Sequence, residues 1–290
     1  GLFVSSGLMG NQISLLIHND PGTEVITPFD SHIKNYEHGA AAFLSRVQFR
    51  DAEHVDGQLN LDNVEKLILK SKVHKPIIKT VSIENTHLAS GGSIVSFDSI
   101  KSLSKIVRKH DLKLHIDGAR IWHAIQEDKN MNYGHYCDSL TFCFSKALGA
   151  PIGSMLLGSE EFIREAREFR KKLGGGMRQV GVVASMARTA LQSRESILED
   201  HAKARKVYDC LIANLNNEKI ESIVYKGTNM IFLNIKNDED PNKLLDIFYN
   251  ESINAGLIGE KSIRLVFHKD IVHTDIDKIC DKLVHSSSKF

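Results

Sequence analysis

Apolar residues recur along the first three quarters of the chain with two alternating spacings. Short apolar runs, or runs in which every second residue is apolar, predict strands, and apolar residues three and four apart predict helices. The strand pattern covers residues 2–4, 25–27, 76–83, 112–117, 140–145 and 151–157, and the helical pattern covers residues 11–18, 61–70 and 98–107. Strands separated by helices predict right-handed crossovers and a mostly parallel sheet flanked by helices, which is an α/β fold.

The last part of the chain has a different pattern. From Glu161 to about Ala213 the spacing is helical, interrupted by three glycines at 174–176. A strand, a helix, a second strand and a second helix then follow at 230–235, 242–253, 262–267 and 275–284. We therefore expect a large cofactor-binding α/β domain over residues 1–199 and a small C-terminal α+β domain over residues 200–290.

Composition narrows the functional class. The chain is 42% hydrophobic and 25% charged, and its 37 basic and 36 acidic residues leave a formal net charge of +1. This balance argues against a nucleic-acid partner, and no apolar run is long enough to predict a membrane span. The four cysteines (Cys137, Cys143, Cys210 and Cys280) form no CxxC pair, so we expect no metal site, free thiols and a cytoplasmic location.

A small, glycine-containing turn precedes the first predicted helix, over residues 5–11 (SSGLMGN). Such a turn leaves backbone amides unpaired at the positive end of the helix dipole, which suits a phosphate group. The alternative is an ordinary strand-to-helix turn capped by Ser or Asn. The stretch is neither a Walker loop nor a dinucleotide fingerprint, which argues against a nucleotide-binding enzyme.

Two charged residues follow predicted strands directly. Asp117 can hold a cation at the mouth of the sheet, or it can cap the next helix and pair with Arg120. Lys146 can lose proton affinity through desolvation and act as a nucleophilic amine, or it can be a surface lysine whose stem lies along apolar residues. Together with the phosphate-type turn, these two side chains form the set that pyridoxal phosphate requires.

Six motifs then occur in the order found in one enzyme family. They are 6–12 (SGLMGNQ), 31–33 with 36–40 (SHI, YEHGA), 84–87 (ENTH), 115–120 (HIDGAR), 144–154 (FSKALGAPIGS) and 174–179 (GGGMRQ), with a weaker match at 263–266 (IRLV). On these motifs the chain resembles the low-specificity threonine aldolases, also called L-allo-threonine aldolases. The resemblance implies a pyridoxal-phosphate-dependent enzyme of the aspartate-aminotransferase-like fold, fold type I.

The resemblance assigns seven residues to the cofactor, of which Arg120 and Arg178 are described below. Lys146 resembles the lysine that forms the Schiff base with pyridoxal 5'-phosphate, and Asp117 resembles the partner of the pyridine nitrogen. His32 resembles the histidine stacked on the cofactor ring, and Gly7 with the amide of Leu8 resembles the phosphate cup. A buried, hydrogen-bonded core histidine is the alternative for His32.

Four more residues take roles by the same resemblance. Arg120 and Arg264 resemble arginines near the cofactor oxygen and the substrate carboxylate, and Arg178 resembles a phosphate contact supplied at a subunit interface. His87 resembles the histidine near the substrate hydroxyl, with a buried core histidine again as the alternative. These assignments imply an amino-acid substrate and a homodimer or homotetramer with shared active sites.

The implied reaction is the retro-aldol cleavage of L-threonine or L-allo-threonine to glycine and acetaldehyde. His87, His32 or an ordered water remain open as the base that takes the hydroxyl proton. Two departures from the family keep other readings open: Leu8 replaces a threonine, and the chain starts directly on an apolar strand, so we expect the family's N-terminal segment to be missing. The alternatives are another fold-type-I β-eliminating lyase and a truncated or degenerate homologue without activity.

Overall fold

The computed structural model describes residues 1–70 and 74–290. Contacts divide them into a large unit, residues 1–88 and 94–194, and a small unit, residues 89–93 and 195–290. The main part of the small unit begins at Glu195, whereas the sequence places the boundary at residue 200. The small unit also includes residues 89–93, which follow the strand Ile78–Glu84 of the large unit.

A seven-stranded sheet forms the centre of the large unit. Its strands are β1 (Leu2–Val4), β2 (Glu24–Pro28), β3 (Gln48–Ala52), β6 (Ile78–Glu84), β7 (Lys113–Asp117), β8 (Ser139–Cys143) and β9 (Ser154–Gly158), while β4 (His54–Val55) and β5 (Gln58–Leu59) form a separate hairpin. The order across the sheet is β1-β9-β8-β7-β6-β2-β3. β9 runs antiparallel to β1 and β8, and the other four neighbouring pairs are parallel, so the predicted mostly parallel sheet is confirmed.

Among the described residues of the large unit, seven α-helices connect or flank these strands. They are α1 (Gly7–His18), α2 (His32–Asn35), α3 (Leu61–Lys70), α4 (Phe97–Lys109), α5 (Ile121–Glu127), α6 (Glu160–Lys172) and α7 (Val180–Gln192). Serine side chains cap the N-termini of α1, α4 and α6 by accepting the backbone N–H three residues further on. Ile13 of α1 packs in an apolar cluster with β1, β9 and α6, which fixes this helix against the sheet.

The small unit is an antiparallel sheet with three helices. Its sheet has the order β10-β11-β13-β12, formed by β10 (Ile220–Tyr225), β11 (Met230–Ile235), β12 (Gly256–Ile258) and β13 (Ser262–Val266). The helices are α8 (Ile197–Asn214), α9 (Pro241–Asn250) and α10 (Ile276–Lys289). Leu211, Leu233 and Phe248 lie in one buried apolar cluster, so the predicted α+β character of this part is confirmed.

Several elements differ from the sequence expectation. α1 begins at Gly7 rather than Asn11, and α2 lies inside a segment expected to be a loop. The strands β3, β10 and β12 carry no strong apolar alternation and were not predicted. Among the described residues, no helix combines the length and the apolar character needed to cross a membrane.

Candidate active site

Parallel strands of the large unit end together at one edge of the sheet. β6 ends at Glu84 and β7 ends at Asp117, and these two residues are paired in register. Asp117 is also in register with Thr141 of β8, the strand that leads to Lys146. Because ligands of open parallel sheets bind beyond the carboxyl ends of the strands, this edge is where the fold favours a site.

The N-terminus of α1 lies at the same edge. Ser6 caps the helix, and its Oγ accepts the N–H of Met9 at 3.2 Å. A Cβ on Gly10 would lie 2.7 Å from Cγ2 of Thr141, so a glycine is needed for α1 to pack this closely on β8. The first amides of the helix have no acceptor within it, and with the helix dipole they favour an anion.

A cavity of about 310 Å³ opens between the helix terminus and the strand ends. Five of the residues selected from the sequence line it together: Gly7, Leu8, His32, Asp117 and Lys146. Its wall also includes the side chains or backbone of Ser5, Ser6, Asn11, Cys143 and Ser145. The fold therefore brings an amine, a carboxylate, an imidazole and a helix N-terminus to one small cavity.

Lys146 lies half-buried on a turn held by backbone hydrogen bonds. The N–H of Gly149 donates to the carbonyl of Lys146 at 2.9 Å, and the N–H of Ala150 donates to the carbonyl of Phe144 at 2.9 Å. Burial, reinforced by the positive charge of Arg120, holds the pKa of Lys146 below its ordinary value. A larger fraction of the side chain is therefore the neutral amine, the form that attacks a carbonyl carbon.

Asp117 is a buried carboxylate with two hydrogen-bond donors. The backbone N–H of Ala119 donates to Oδ1 at 3.1 Å, and the amide Nδ2 of Asn11 donates to Oδ2 at 2.9 Å. Both bonds fix the direction of the carboxylate. An ionised carboxylate at the pocket wall can hold a protonated ring nitrogen.

His32 stands at the start of α2, where its ring lines the pocket. Its Nδ1 lies 3.4 Å from Oε1 of the buried Glu37, and its backbone N–H donates to Oε2 of Glu84 at 2.9 Å. Burial alone would lower the pKa of His32, but Glu37 and the nearby carboxylates of Asp117 and Glu84 raise it above its ordinary value. The surrounding carboxylates therefore favour the protonated imidazole over the neutral one.

Glu84 is a second buried carboxylate beside Asp117. It accepts backbone N–H groups from His32 and Leu88, at 2.9 and 3.1 Å. Burial and the charge of Asp117 raise the pKa of Glu84 above its ordinary value. Arg120, at the N-terminus of α5, is close enough to both carboxylates to interact with them electrostatically.

His87 is fully buried and is absent from the residues that line this cavity. Its Nε2 lies 3.4 Å from Oδ1 of Asp30, which also lies 2.9 Å from Nε2 of His54. The β4–β5 hairpin covers it closely, because a Cβ on Gly57 would lie 2.5 Å from the Cβ of His87. Asp30 thus lies between two imidazoles, and the role assigned to His87 remains a prediction.

The other two arginines selected from the sequence are Arg178 and Arg264. Arg178 is exposed on the segment between α6 and α7, and among the described residues it does not line the cavity of its own chain. Arg264 is on β13 of the small unit, opposite Phe232 of β11. Their assigned roles remain predictions.

The residues that the sequence reasoning missed are those behind the pocket wall. Asn11, Glu37 and Glu84 all fall inside the quoted motifs, yet none was given a role. Asn11 lies one helical turn after Gly7, a spacing that places both on the same helix face and was available as a signal. The position of Glu84 beside Asp117 depends on strand register, which no local pattern encodes.

Similar proteins point to one family. The model of the beta-eliminating lyase family matches residues 1–236. A probable low-specificity L-threonine aldolase of Arabidopsis thaliana is 37% identical over 98% of this chain and 83% of its own length. A low-specificity L-threonine aldolase of Candida albicans is 33% identical over 96% of this chain and 74% of its own length.

Solved structures share the fold at lower identity. A threonine aldolase of Leishmania major superposes with a TM-score of 0.82 at 20% identity, over 99% of this chain and 83% of its own. A serine palmitoyltransferase of Sphingomonas wittichii gives a TM-score of 0.77 at 14% identity, over 99% of this chain and 72% of its own. At these identities the likeness establishes the fold, and it agrees with the fold type I expected from the motifs.

Beta-eliminating lyases and threonine aldolases depend on pyridoxal phosphate, and the cavity fits this group. Lys146 offers an amine for the aldehyde, Asp117 a carboxylate for the ring nitrogen, and the N-terminus of α1 free amides for the phosphate. A volume of about 310 Å³ lies at the small end of the roughly 300–1,000 Å³ typical of ligand pockets. Ser5 and Ser6 supply hydroxyl groups near Leu8, which has none.

Proposed function

Because the chain belongs to the beta-eliminating lyase family, and within it to the threonine aldolases, we propose that it cleaves L-threonine or L-allo-threonine. The reaction breaks the Cα–Cβ bond and yields glycine and acetaldehyde, which makes the enzyme a carbon–carbon aldehyde-lyase. The observation that carries the proposal is the cavity in which Lys146, Asp117 and His32 meet the N-terminus of α1.

Lys146 and Asp117 act on the cofactor in this proposal. When bound, pyridoxal phosphate supplies an electron sink that accepts the electron pair of the broken bond. Asp117 holds a proton on the ring nitrogen through its ionised carboxylate, and Lys146 binds the cofactor covalently through Nζ. The lowered pKa of Lys146 favours that bond at neutral pH.

His32 is the proposed base for the β-hydroxyl proton. Its Nδ1 faces Glu37, which leaves Nε2 as the atom that accepts a proton from a substrate in the cavity. His87 and an ordered water are the alternatives. Since the pKa of His32 is raised and only the neutral imidazole accepts a proton, turnover should increase as the pH rises through that pKa.

Arg120 and Arg264 are proposed to hold the substrate carboxylate. A guanidinium binds a carboxylate through two parallel hydrogen bonds, which orients the Cα substituents as the bond cleavage requires. The resemblance to the family supports both assignments, and the electrostatic contact between Arg120 and the site carboxylates supports the first. Replacing either arginine with lysine should raise KM for threonine more than it lowers kcat.

A homodimer or homotetramer with shared sites completes the proposal. Arg178 would then reach the cofactor phosphate of a neighbouring subunit. Its exposure supports this, as do the exposed apolar residues Val182 and Met186 on the adjacent α7. Sedimentation of a Met186→Glu variant tests the interface, since a charged residue there should favour the monomer. A cytoplasmic location is part of the same proposal and is supported by the four free thiols.

Acetaldehyde release from L-threonine and L-allo-threonine, with excess pyridoxal phosphate, tests the function. Release that is lost in Lys146→Ala would support the aldolase. Pyruvate and ammonia from a β-substituted amino acid would instead identify a β-eliminating lyase. If neither product forms although the cofactor binds, the chain is a homologue without activity. If acetaldehyde is released, His32→Phe and His87→Phe distinguish the two candidate bases by their effects on turnover.

A further inference from the structure

A line of buried polar side chains lies directly behind Asp117. Nδ2 of Asn11 donates to Oδ2 of Asp117 at 2.9 Å, and Oδ1 of Asn11 lies 3.1 Å from Nε2 of His115. Nδ1 of His115 lies 2.9 Å from Oγ of Ser139, which is 2.8 Å from Nε2 of His18. Asn11, His115 and Ser139 are each at most 1% exposed, so these bonds exclude water.

The direction of every bond in this line follows from the donor and acceptor chemistry. Ionised carboxylates only accept, so Nδ2 of Asn11 gives its two hydrogens to Asp117 and to Oε1 of Glu37, also at 2.9 Å. Oδ1 of Asn11 must then accept, which requires a hydrogen on Nε2 of His115. A neutral His115 with that hydrogen has Nδ1 as an acceptor, which Ser139 fills with its hydroxyl.

The neutral state of His115 agrees with its surroundings. Complete burial lowers the pKa of His115 to about 4, and neither the attraction of Asp117 nor the interaction with the backbone of Ser139 offsets this. His18, at the other end of the line, is also held neutral, because burial and His115 lower its pKa to about 3. The two imidazoles therefore act as fixed hydrogen-bonding groups at neutral pH rather than as charges.

We propose that Asn11 and His115 are positioning residues that hold the carboxylate of Asp117 aimed at the ring nitrogen of the cofactor. His115 is needed because it fixes the amide of Asn11 with both hydrogens toward the two carboxylates. The opposite orientation would place Oδ1 of Asn11 against carboxylate oxygens and leave His115 without an acceptor. The proposal rests on the proposed role of Asp117, but its tests do not require turnover.

The first test is cofactor affinity, measured by titrating pyridoxal phosphate into the apoprotein. Asn11→Leu and His115→Leu should each weaken binding about tenfold or more, because hydrogen bonds to a charged group are lost. His115→Gln keeps a donor for Oδ1 of Asn11 and should stay within about threefold of the wild type. The matched control is Thr80→Val on neighbouring β6. It removes a buried hydrogen bond of 3.1 Å from Oγ1 of Thr80 to Oδ1 of Asn19.

The pattern across the four variants decides the outcome. Unchanged affinity in Asn11→Leu and His115→Leu would overturn the proposal. So would an equal loss in Thr80→Val, since the effect would then belong to buried polar residues in general. A loss in His115→Gln as large as that in His115→Leu would also overturn it, because the donor would then be irrelevant.

The second test uses the wild-type protein and does not depend on any variant folding well. NMR of the protein with ¹⁵N-labelled imidazole nitrogens reports the tautomer directly. The signal of His115 is identified as the one that is absent in His115→Gln. We expect a hydrogen on Nε2 and none on Nδ1 of His115 from pH 6 to pH 8, with or without cofactor. A hydrogen on Nδ1 in that range would overturn the proposal. Failure of the aldolase assay would leave this result unaffected, so the two proposals fail separately.

Discussion

Two lysines in different parts of the molecule lose water on folding, and their surroundings differ in one respect. Lys203, on α8 of the small unit, is 2% exposed and donates to Oδ1 of the equally buried Asp200 at 3.0 Å, and to the carbonyl of His268 at 3.3 Å. Lys146, at the cavity of the large unit, has no ion pair with a carboxylate among the residues that the structure describes, and Arg120 adds a like charge nearby.

The difference separates a structural lysine from a reactive one. A desolvated ammonium group that is paired stays charged, and removing one partner is costly because the other charge is left buried alone. A desolvated ammonium group without a pair loses its proton more readily and becomes a nucleophile. Burial therefore does not mark a catalytic lysine by itself, whereas burial without a direct partner does.

The largest expected effect distinguishes the two lysines by activity. Lys146→Met should lower acetaldehyde release by more than about a thousandfold, because the covalent link to the cofactor is lost. Lys203→Met should leave kcat close to the wild-type value, measured at a temperature where both variants are folded. Comparable losses in both variants would contradict the distinction.

The next largest effect concerns stability, where Lys203 rather than Lys146 should be the more important of the two lysines. Lys203→Met leaves the carboxylate of Asp200 buried without its partner, so the free energy of unfolding should fall by about 3 kcal/mol. Lys146→Met removes a desolvated charge and should not lower it. Urea denaturation of the apoproteins measures both changes, and a stable Lys203→Met variant would show that the ion pair is dispensable.

A smaller effect lies in the pH dependence of the apoprotein. The pKa of Lys146 is below 10.5 in the folded chain because of burial and Arg120, and 10.5 is its ordinary value in the unfolded chain. Between these two values the unfolded chain binds one more proton, so the contribution of Lys146 to stability increases with pH. Lys146→Met should therefore be more stable than the wild type at pH 7, with a gap that narrows toward pH 10.5. A constant gap would mean that Lys146 is not desolvated.

The smallest expected effect is a control on the helix that carries Lys203. Arg205 and Asp209 form an ion pair on the exposed side of α8, with Nε to Oδ1 at 3.0 Å. Solvent and salt screen such a pair, so Arg205→Ala should leave the thermal midpoint unchanged within error. A clear shift would show that charge on α8, rather than burial, explains the result for Lys203.

The sequence predicted the parts of the fold that local patterns encode. The alternation at 112–117 and 140–145 correctly marks β7 and β8, and with them the strand ends near Asp117 and Lys146. It does not mark β3, because most of that strand is exposed or half-buried and polar (QFRDA) and it pairs at the sheet edge. The small strand β12 has only half-buried or exposed residues and gives no signal either.

The residues of the candidate site were likewise only partly predictable from the sequence. Gly7, Leu8, His32, Asp117 and Lys146 were selected from motifs and line one cavity. What lies behind that cavity could not be selected, because Glu84 acquires its role from register with Asp117. The burial of Lys203 was equally hidden, since the surrounding sequence (EDHAKARK) resembles a solvated, charged helix surface.

The spacing along α1 has a consequence for how this protein can change over generations. Gly7 lines the cavity at the start of the helix, and Asn11, four residues later, donates to the carboxylate of Asp117 in the same cavity. One residue inserted or deleted between them would turn Asn11 by about 100° around the helix axis. Single substitutions at either position can arise and be tested separately in a lineage, but a change in length between them alters the relation of both residues to the cavity at once. Descendants of this gene should therefore vary the side chains of this turn while keeping its length.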